Sequence, residues 1–383
     1  MPSPSLPEQR RRLGPLRRIE IEAASLPAAH GRLGEALGPV IRRVAARRLR
    51  ATSPADFDRQ IDAVRNCRRH VSAYIRSGHF MPRHVRRALR EYLACLDAWA
   101  HASQLESVLD DQTVDGKAVT ARELALWLQD DNSGCQTGLL RLAGGDVLFW
   151  HTEEDTIGYF DRPRLASLLV GKQTWHAFLY PYLLPGPAFG WQAGRFHAVD
   201  SLHIRRGSCG AFTNVAAWLA WRLPGLEPGE LFHLCPFLDG CAIHRLVRSP
   251  GGVAAWVQEL GGEFQTQCSL PLRQGSLLFQ ANCVRQSGSR LAREEALSAA
   301  ERKPYCDRRE RTEQAVRELV RAGETTPQRI VELLASRAGG DYAYANSDVK
   351  AHCVGVATAA GMELYVQSGA ALPGDKYRPQ FHA

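Results

Sequence analysis

A chain of 383 residues that is 45% hydrophobic and 23% charged can bury a substantial core, and no apolar run in it reaches the roughly 18–20 residues of a membrane span. The formal net charge of +8 comes mainly from arginine clusters at Arg10–Arg12, Arg17–Arg18, Arg42–Arg50 and Arg83–Arg90. No nucleic-acid motif accompanies them, so they read as solvated helix faces, and neither a membrane nor a nucleic acid is an expected partner.

The segment Met1–Arg18 is rich in Pro and Arg and lacks an apolar stretch, so no secretory signal is expected and the cytoplasm is the default location. In that setting most of the ten cysteines are expected to be reduced and buried. Residues 19 to about 128 read as mostly helix. Leu33, Leu37, Val40, Ile41 and Val44 recur at helical spacing, Ser53-Pro54 and Met81-Pro82 open two further helices, and Leu89, Leu93, Leu96 and Trp99 continue a stripe. Thr120–Gln129 is a short helix, and Asp130–Gly134 is a polar break.

The period then changes from helical to alternating. Thr137–Leu142 and Val147–Thr152 read as strands joined by Gly144-Gly145-Asp146, and Ala188–His203 as a strand pair turning at Gly194. Helical patterns are expected over Ala211–Arg222 and His244–Leu260, a strand pair over Glu263–Asn282, and helices over Lys303–Arg321 and after Thr326-Pro327. Val354–Val366 closes as a hairpin. Blocks of strands and helices in this order predict an α+β fold, with a helical segment 1–134 ahead of a mixed region 135–383.

Three features suggest chemistry. Cys135 follows Ser133-Gly134 and opens the first strand of the second region. A glycine there permits the strained backbone that an N→S acyl shift needs. Cutting the Gly134–Cys135 bond would give Cys135 an α-amine with a reference pKa near ~8, able to take the thiol proton. A tight hairpin returns the chain to its start, so the acidic run His151-Thr152-Glu153-Glu154-Asp155 is expected beside Cys135. Asn282 ends an apolar strand, where its amide could donate to an oxyanion, although turn-forming asparagine is common.

In order and spacing these pieces resemble the acyl-coenzyme A:6-aminopenicillanate acyltransferase family of N-terminal-nucleophile (Ntn) hydrolases. Ala24–Val44 resembles its opening helix, Gly134-Cys135-Gln136-Thr137 its autoprocessing junction, and Trp150-His151-Thr152-Glu153-Glu154 its "His-Asn-Glu-Asp" strand end. The last is closer to the "His-Thr-Glu-Asp" of the β-alanyl-dopamine/carcinine hydrolase branch. Val199-Asp200-Ser201-Leu202 stands for "Val-Asn-Ser-Leu" and Ala281-Asn282-Cys283 for "Thr-Asn-His", while Arg308 and Arg311 match paired arginines. The resemblance implies an αββα sandwich, Cys135 as nucleophile, Glu154 as acid and Asn282 in the oxyanion hole. His151, Thr152, Asp200, Trp191 and Arg308 are the expected substrate contacts, and Asp200 in place of asparagine would suit a cationic substrate. The implied activity is hydrolysis or transfer at the amide bond of a small N-acyl compound by two self-associated fragments. No cofactor is expected beyond a coenzyme A thioester as an acyl donor.

The competing reading is a non-processing chain that binds zinc through His233, Cys235, Cys241 and His244, or that acts as an arginine-rich nucleic-acid-binding or scaffold protein. Its zinc spacing is tighter than in common zinc modules, and the site as predicted contains no metal. Phosphate-loop, dinucleotide and G-x-S-x-G signatures are absent from the sequence.

Overall fold

A computed structural model describes residues 16–77, 81–109, 112–129, 135–154, 163–203, 213–223, 225–226, 229–230, 240–261, 264–284, 297–336 and 349–382. Among the described residues the fold is α+β, with seven α-helices and sixteen strands.

The chain enters as a strand, β1 (Arg17–Ala23), and not as the helix expected from residue 19. Ile19 and Ile21 alternate with Glu20 and Glu22, a period of two that a strand half-buried at a sheet edge requires. Helix α1 (Leu26–Ala51) follows, capped by the Ser25 hydroxyl, which accepts from the backbone N–H of Ala28. Then come α2 (Pro54–Ser77), α3 (Arg83–Ala102), a small hairpin of β2 (Thr113–Val114) and β3 (Lys117–Ala118), and α4 (Ala121–Gln129). Of the predicted stripe of α1, Leu33, Leu37, Ile41 and Val44 lie inside and Val40 is half-buried. Gly34 lets α1 approach α3 closely, since a Cβ there would meet the backbone of Trp99.

Two large sheets follow. The eight-stranded sheet runs β1-β6-β7-β8-β9-β10-β11-β12, its added strands being β6 (Arg164–Val170), β7 (Gln173–Leu179), β8 (Phe189–Gln192), β9 (Arg195–Ser201), β10 (Cys241–Ser249), β11 (Gly252–Gly261) and β12 (Phe264–Ser269). The six-stranded sheet runs β13-β4-β5-β14-β15-β16. Its strands are β13 (Leu277–Gln280), β4 (Cys135–Arg141), β5 (Val147–Glu154), β14 (Val349–Ala357), β15 (Met362–Ser368) and β16 (Phe381–His382). All pairings in both sheets are antiparallel except β1 with β6. The remaining helices are α5 (Thr213–Arg222), α6 (Ala299–Ala322) and α7 (Pro327–Leu334).

Several sequence expectations change here. Residues 244–260 are not a helix but the β10–β11 hairpin, with Ser249 paired to Gly252 across Pro250-Gly251. Proline and glycine end a helix but suit a tight turn. Cys241–Leu246 of β10 is buried on both faces and so shows no clean alternation to betray it. The two strands expected over Glu263–Asn282 exist but belong to different sheets: β12 pairs with β11, and β13 crosses over to pair with β4. The β6–β7 hairpin was not anticipated at all.

Three apolar clusters join these elements. One lies between α1–α5 and the eight-stranded sheet, with Leu33, Trp99 and Trp127 meeting Leu168, Trp175 and Ile243. A second fills the space between the sheets, where Leu139 and Phe149 face Phe178, Phe189 and Leu246. The third packs Leu140, Leu148 and Trp150 of the six-stranded sheet under Val316 of α6 and Ile330 and Val331 of α7. The helical front section therefore shares its core with the sheet beyond residue 163.

Gly138 of β4 is paired with Trp150 of β5, and the indole lies where a Cβ on residue 138 would project. Trp150 is fully buried and stacked on Phe279, so it has no room to retreat. The Gly138→Ala variant is expected to lose about 1–3 kcal/mol of stability by overpacking, read as a lower urea midpoint. An unchanged midpoint would contradict this packing.

Candidate functional site

The site follows from the β4–β5 hairpin and the two-residue period of a strand. The register pairs Cys135 with Glu153 and Thr137 with His151. Odd-numbered residues on both strands share the inter-sheet face with Leu139, Val147 and Phe149, whereas Gln136, Thr152 and Glu154 share the opposite face with Leu148 and Trp150. The eight-stranded sheet brings Tyr180, Asp200 and His244 to the same inter-sheet space, since Phe178, Ala198, Ala242 and Leu246 line it.

The contacts are short and enclosed. Cys135, only 2% exposed, donates its S–H to Glu153 Oε2 at 3.1 Å. That same oxygen lies 3.0 Å from His151 Nε2, and Glu153 Oε1 accepts from the Tyr180 hydroxyl at 2.9 Å. Thr137 Oγ1 donates to Asp200 Oδ1 at 2.8 Å and lies 2.8 Å from His151 Nδ1. His244 Nδ1 is 3.4 Å from Asp200 Oδ2. His151 thus bridges two buried carboxylates, with Phe189 packed on its ring at 5.2 Å between centroids.

Burial pushes the Cys135 thiol well above the usual thiol range. The neighbouring Glu153 and Asp200 push it further, against a backbone hydrogen bond from Glu154. The thiol is therefore neutral at ordinary pH and needs a base to react. Burial also raises the Asp200 carboxyl to about 7, opposed by His151 and by the hydrogen bond from Thr137. A raised native pKa makes the folded state bind an extra proton between the unfolded value, near ~4, and about 7. Stability from this group is complete below pH ~4 and is lost as pH rises through about 7. The Asp200→Asn variant is expected to flatten the fall in urea midpoint over that window. An identical slope in wild type and variant would refute the assignment.

The structure revises several predicted roles. The carboxylate beside the thiol is Glu153 and not Glu154, because adjacent strand residues point to opposite faces. Glu154 instead accepts two hydrogen bonds from Arg308 Nη1, at 2.7 and 2.9 Å. Arg308, fully buried on α6, also donates to Asn282 Oδ1 at 2.7 Å. Asn282 Nδ2 then donates to the Ser201 carbonyl and hydroxyl oxygens, at 3.0 and 3.1 Å. Register places Asn282 two residues past the Gln280–Thr137 pair, at the strand end where β4 begins. Both of its amide hydrogens are committed, so donation to an oxyanion requires the Ser201 hydroxyl to give way. Its φ of 63° is the left-handed conformation that asparagine tolerates, so the turn reading applies as well.

Thr152 faces away from the thiol, on the same side as Glu154. Trp191 also falls outside the site. It pairs with Phe196, four residues before Asp200 on β9, about 13 Å away at the usual ~3.3 Å rise. There it stacks on His176, and the aromatic ring beside His151 is that of Phe189. Arg311 is exposed and does not share in the Arg308 contacts.

Gly134 lies outside the described residues, as do His233 and Cys235. The remaining pair of the predicted zinc quartet, Cys241 and His244, sits three residues apart on β10. Cys241 points toward the helices and His244 between the sheets, so they cannot share one ion. The group among the described residues that could hold a metal is a different one, Cys135, His151 and Asp200, whose ligand atoms lie within 4.8 Å of one another. The described cysteines other than Cys67 are free, and Cys67 is disulfide-bonded.

Sequence reasoning missed Thr137 and Tyr180, held Glu153 only as one member of the acidic run, and singled out His244 for zinc and not for this cluster. Strand alternation counted from Cys135 could have found Thr137 and chosen Glu153. Nothing local places Tyr180 or His244 beside Cys135, because they arrive from the other sheet. A scan of the chain against models of protein families finds no match, and a search of curated proteins finds none either.

Proposed function

We propose that the chain is a self-cleaving cysteine amide hydrolase or acyltransferase built on an Ntn-type αββα sandwich. The observation that carries this reading is a strand-opening cysteine whose thiol is hydrogen-bonded to a buried carboxylate that also touches histidine.

In the precursor, Glu153 takes the Cys135 proton as the sulfur attacks the carbonyl carbon of residue 134. The C–N bond then breaks and the departing nitrogen of Cys135 takes up a proton. Water hydrolyses the resulting thioester, leaving a free thiol and α-amine on residue 135. In turnover the same sulfur attacks the amide of a small N-acyl substrate, or the thioester of a coenzyme A donor, and water or an amine resolves the acyl-enzyme. The burial of Cys135 agrees with a precursor, in which only the preceding residue has to reach the sulfur. Asp200 and Glu153 leave the inter-sheet space acidic, which favours a cationic amine. The core shared by α1–α4 and the eight-stranded sheet would hold the two fragments together after cleavage.

Intact-mass analysis of wild type and Cys135→Ala tests this. Two fragments of roughly 134 and 249 residues are expected from wild type and a single chain from the variant, as a self-cleaving cysteine requires. A wild-type chain that stays whole while the protein is folded would overturn the proposal. The second reading is a zinc site: thiolate, imidazole and carboxylate at Cys135, His151 and Asp200 form a donor set that zinc accepts. It requires an uncut chain carrying stoichiometric zinc, so the same sample distinguishes the two.

A further inference from the structure

His203 lies just past β9 of the eight-stranded sheet, yet its ring packs on Tyr305 of α6, at 4.6 Å between centroids. Helix α6 covers the far face of the six-stranded sheet. A side chain that joins the two must cross an end of that sheet, and Asn282 identifies the end. The His203 backbone N–H donates to the Asn282 carbonyl at 3.2 Å. Asn282 in turn stands past the Gln280–Thr137 pair, level with Cys135 at the start of β4. Tyr305 precedes Arg308 by one helical turn, so both rise from the same side of α6, where the guanidinium holds Asn282. His203 is therefore fixed by its backbone and by its ring at the end of the sheet from which Cys135 starts.

The ring has a nitrogen to spare there. His203 Nε2 is buried and has no hydrogen-bond partner among the described residues. The Asn282 amide, by contrast, spends both hydrogens on Ser201. We infer that His203 Nε2–H, and not the Asn282 amide, is the side-chain donor to the oxyanion formed when Cys135 attacks, an inference that rests on the self-cleaving reading. Burial, and then the charge of Arg308, lower the His203 pKa, so the imidazole is neutral at neutral pH and carries a single N–H. A neutral N–H held in place stabilises charge as it develops and keeps its own proton.

The step balances without any added reagent. The sulfur–carbon bond forms while the C=O pair moves onto oxygen, where the His203 N–H meets it. The pair then returns, the C–N bond breaks, and the nitrogen of Cys135 leaves with the proton that Glu153 took from the thiol. His203 ends as it began, ready to serve the acyl-enzyme in turnover.

Methionine and glutamine at position 203 test this, because the two are alike in length and shape and only glutamine keeps an N–H donor. Any effect on folding is shared between them, and urea midpoints check that. Appearance of the two fragments, followed by mass, is expected to slow by about 10²–10³-fold in His203→Met, the usual loss on deleting one oxyanion donor. His203→Gln should recover most of that rate. Equal slowing in both variants would indicate a base and not a donor, since glutamine cannot take the proton, and would overturn the assignment. Wild-type rates in both would overturn it too, while leaving the self-cleaving reading intact. A wild type that stays whole ends that reading and this inference together. A second measurement leaves position 203 untouched: in the uncut Cys135→Ala chain, NMR of the ring nitrogens is expected to show a neutral His203 protonated at Nε2. Protonation at Nδ1 alone would overturn the assignment.

Discussion

Under the proposed self-cleavage, glutamine at position 153 is expected to slow the cut ahead of Cys135 by about 10²–10⁴-fold, the usual contribution of a positioned general base. Glu153 is the acceptor of the Cys135 S–H, at 3.1 Å, and a glutamine carbonyl in its place can accept the hydrogen bond but cannot keep the proton. The substitution has a second, opposite effect. Removing the negative charge deletes one of the causes that raise the thiol pKa, so Cys135 should ionise somewhat more easily. Burial is the larger cause and persists, so the loss of the base should dominate at neutral pH. The rate of appearance of the two fragments, followed by mass against time and pH, checks this. The Glu154→Gln variant should slow cleavage far less, because that side chain faces Arg308 on the other side of the sheet. Equal effects at 153 and 154 would mean that the inter-sheet carboxylate has no special role.

Methionine at position 308 is expected to cost about 3–5 kcal/mol of stability, the range for removing one partner of a buried ion pair. Arg308 is fully buried, and its guanidinium serves Glu154 and Asn282 together. Without it the Glu154 carboxylate stays buried with no cation beside it. The urea midpoint should fall accordingly, and the Arg308→Met/Glu154→Gln double variant should recover part of the loss because the uncompensated charge is gone. A double variant no better than the single one would assign the cost to the lost hydrogen bond to Asn282 instead. The pair thus separates the electrostatic role of Arg308 from its role as a filler between α6 and the six-stranded sheet.

Elements whose pattern is local were legible before any coordinates. The stripe of α1, the caps at Ser53 and Thr326, the β4–β5 hairpin and the closing β14–β15 hairpin each announce themselves within a dozen residues, because capping, turn chemistry and periodicity act over that range. The β10–β11 hairpin did not. Cys241–Leu246 of β10 and Val257–Gly261 of β11 are covered on both faces, which erases there the alternation that marks a half-exposed strand, and only Val253–Val257 keeps it.

Within the site the same division holds. The amino-acid order alone placed Cys135 at the head of a strand and an acidic run at the end of its partner, since a short turn leaves the chain nowhere else to go. Which acid meets the sulfur depended on register and on the face each residue presents. Glu153 and Glu154 are adjacent in sequence yet belong to different layers of the molecule. Tyr180, Asp200 and His244 join Cys135 only because one sheet packs on the other, bringing together residues as much as 109 positions apart. No local pattern encodes that encounter, because burying the two apolar sheet faces against each other is a property of the whole fold.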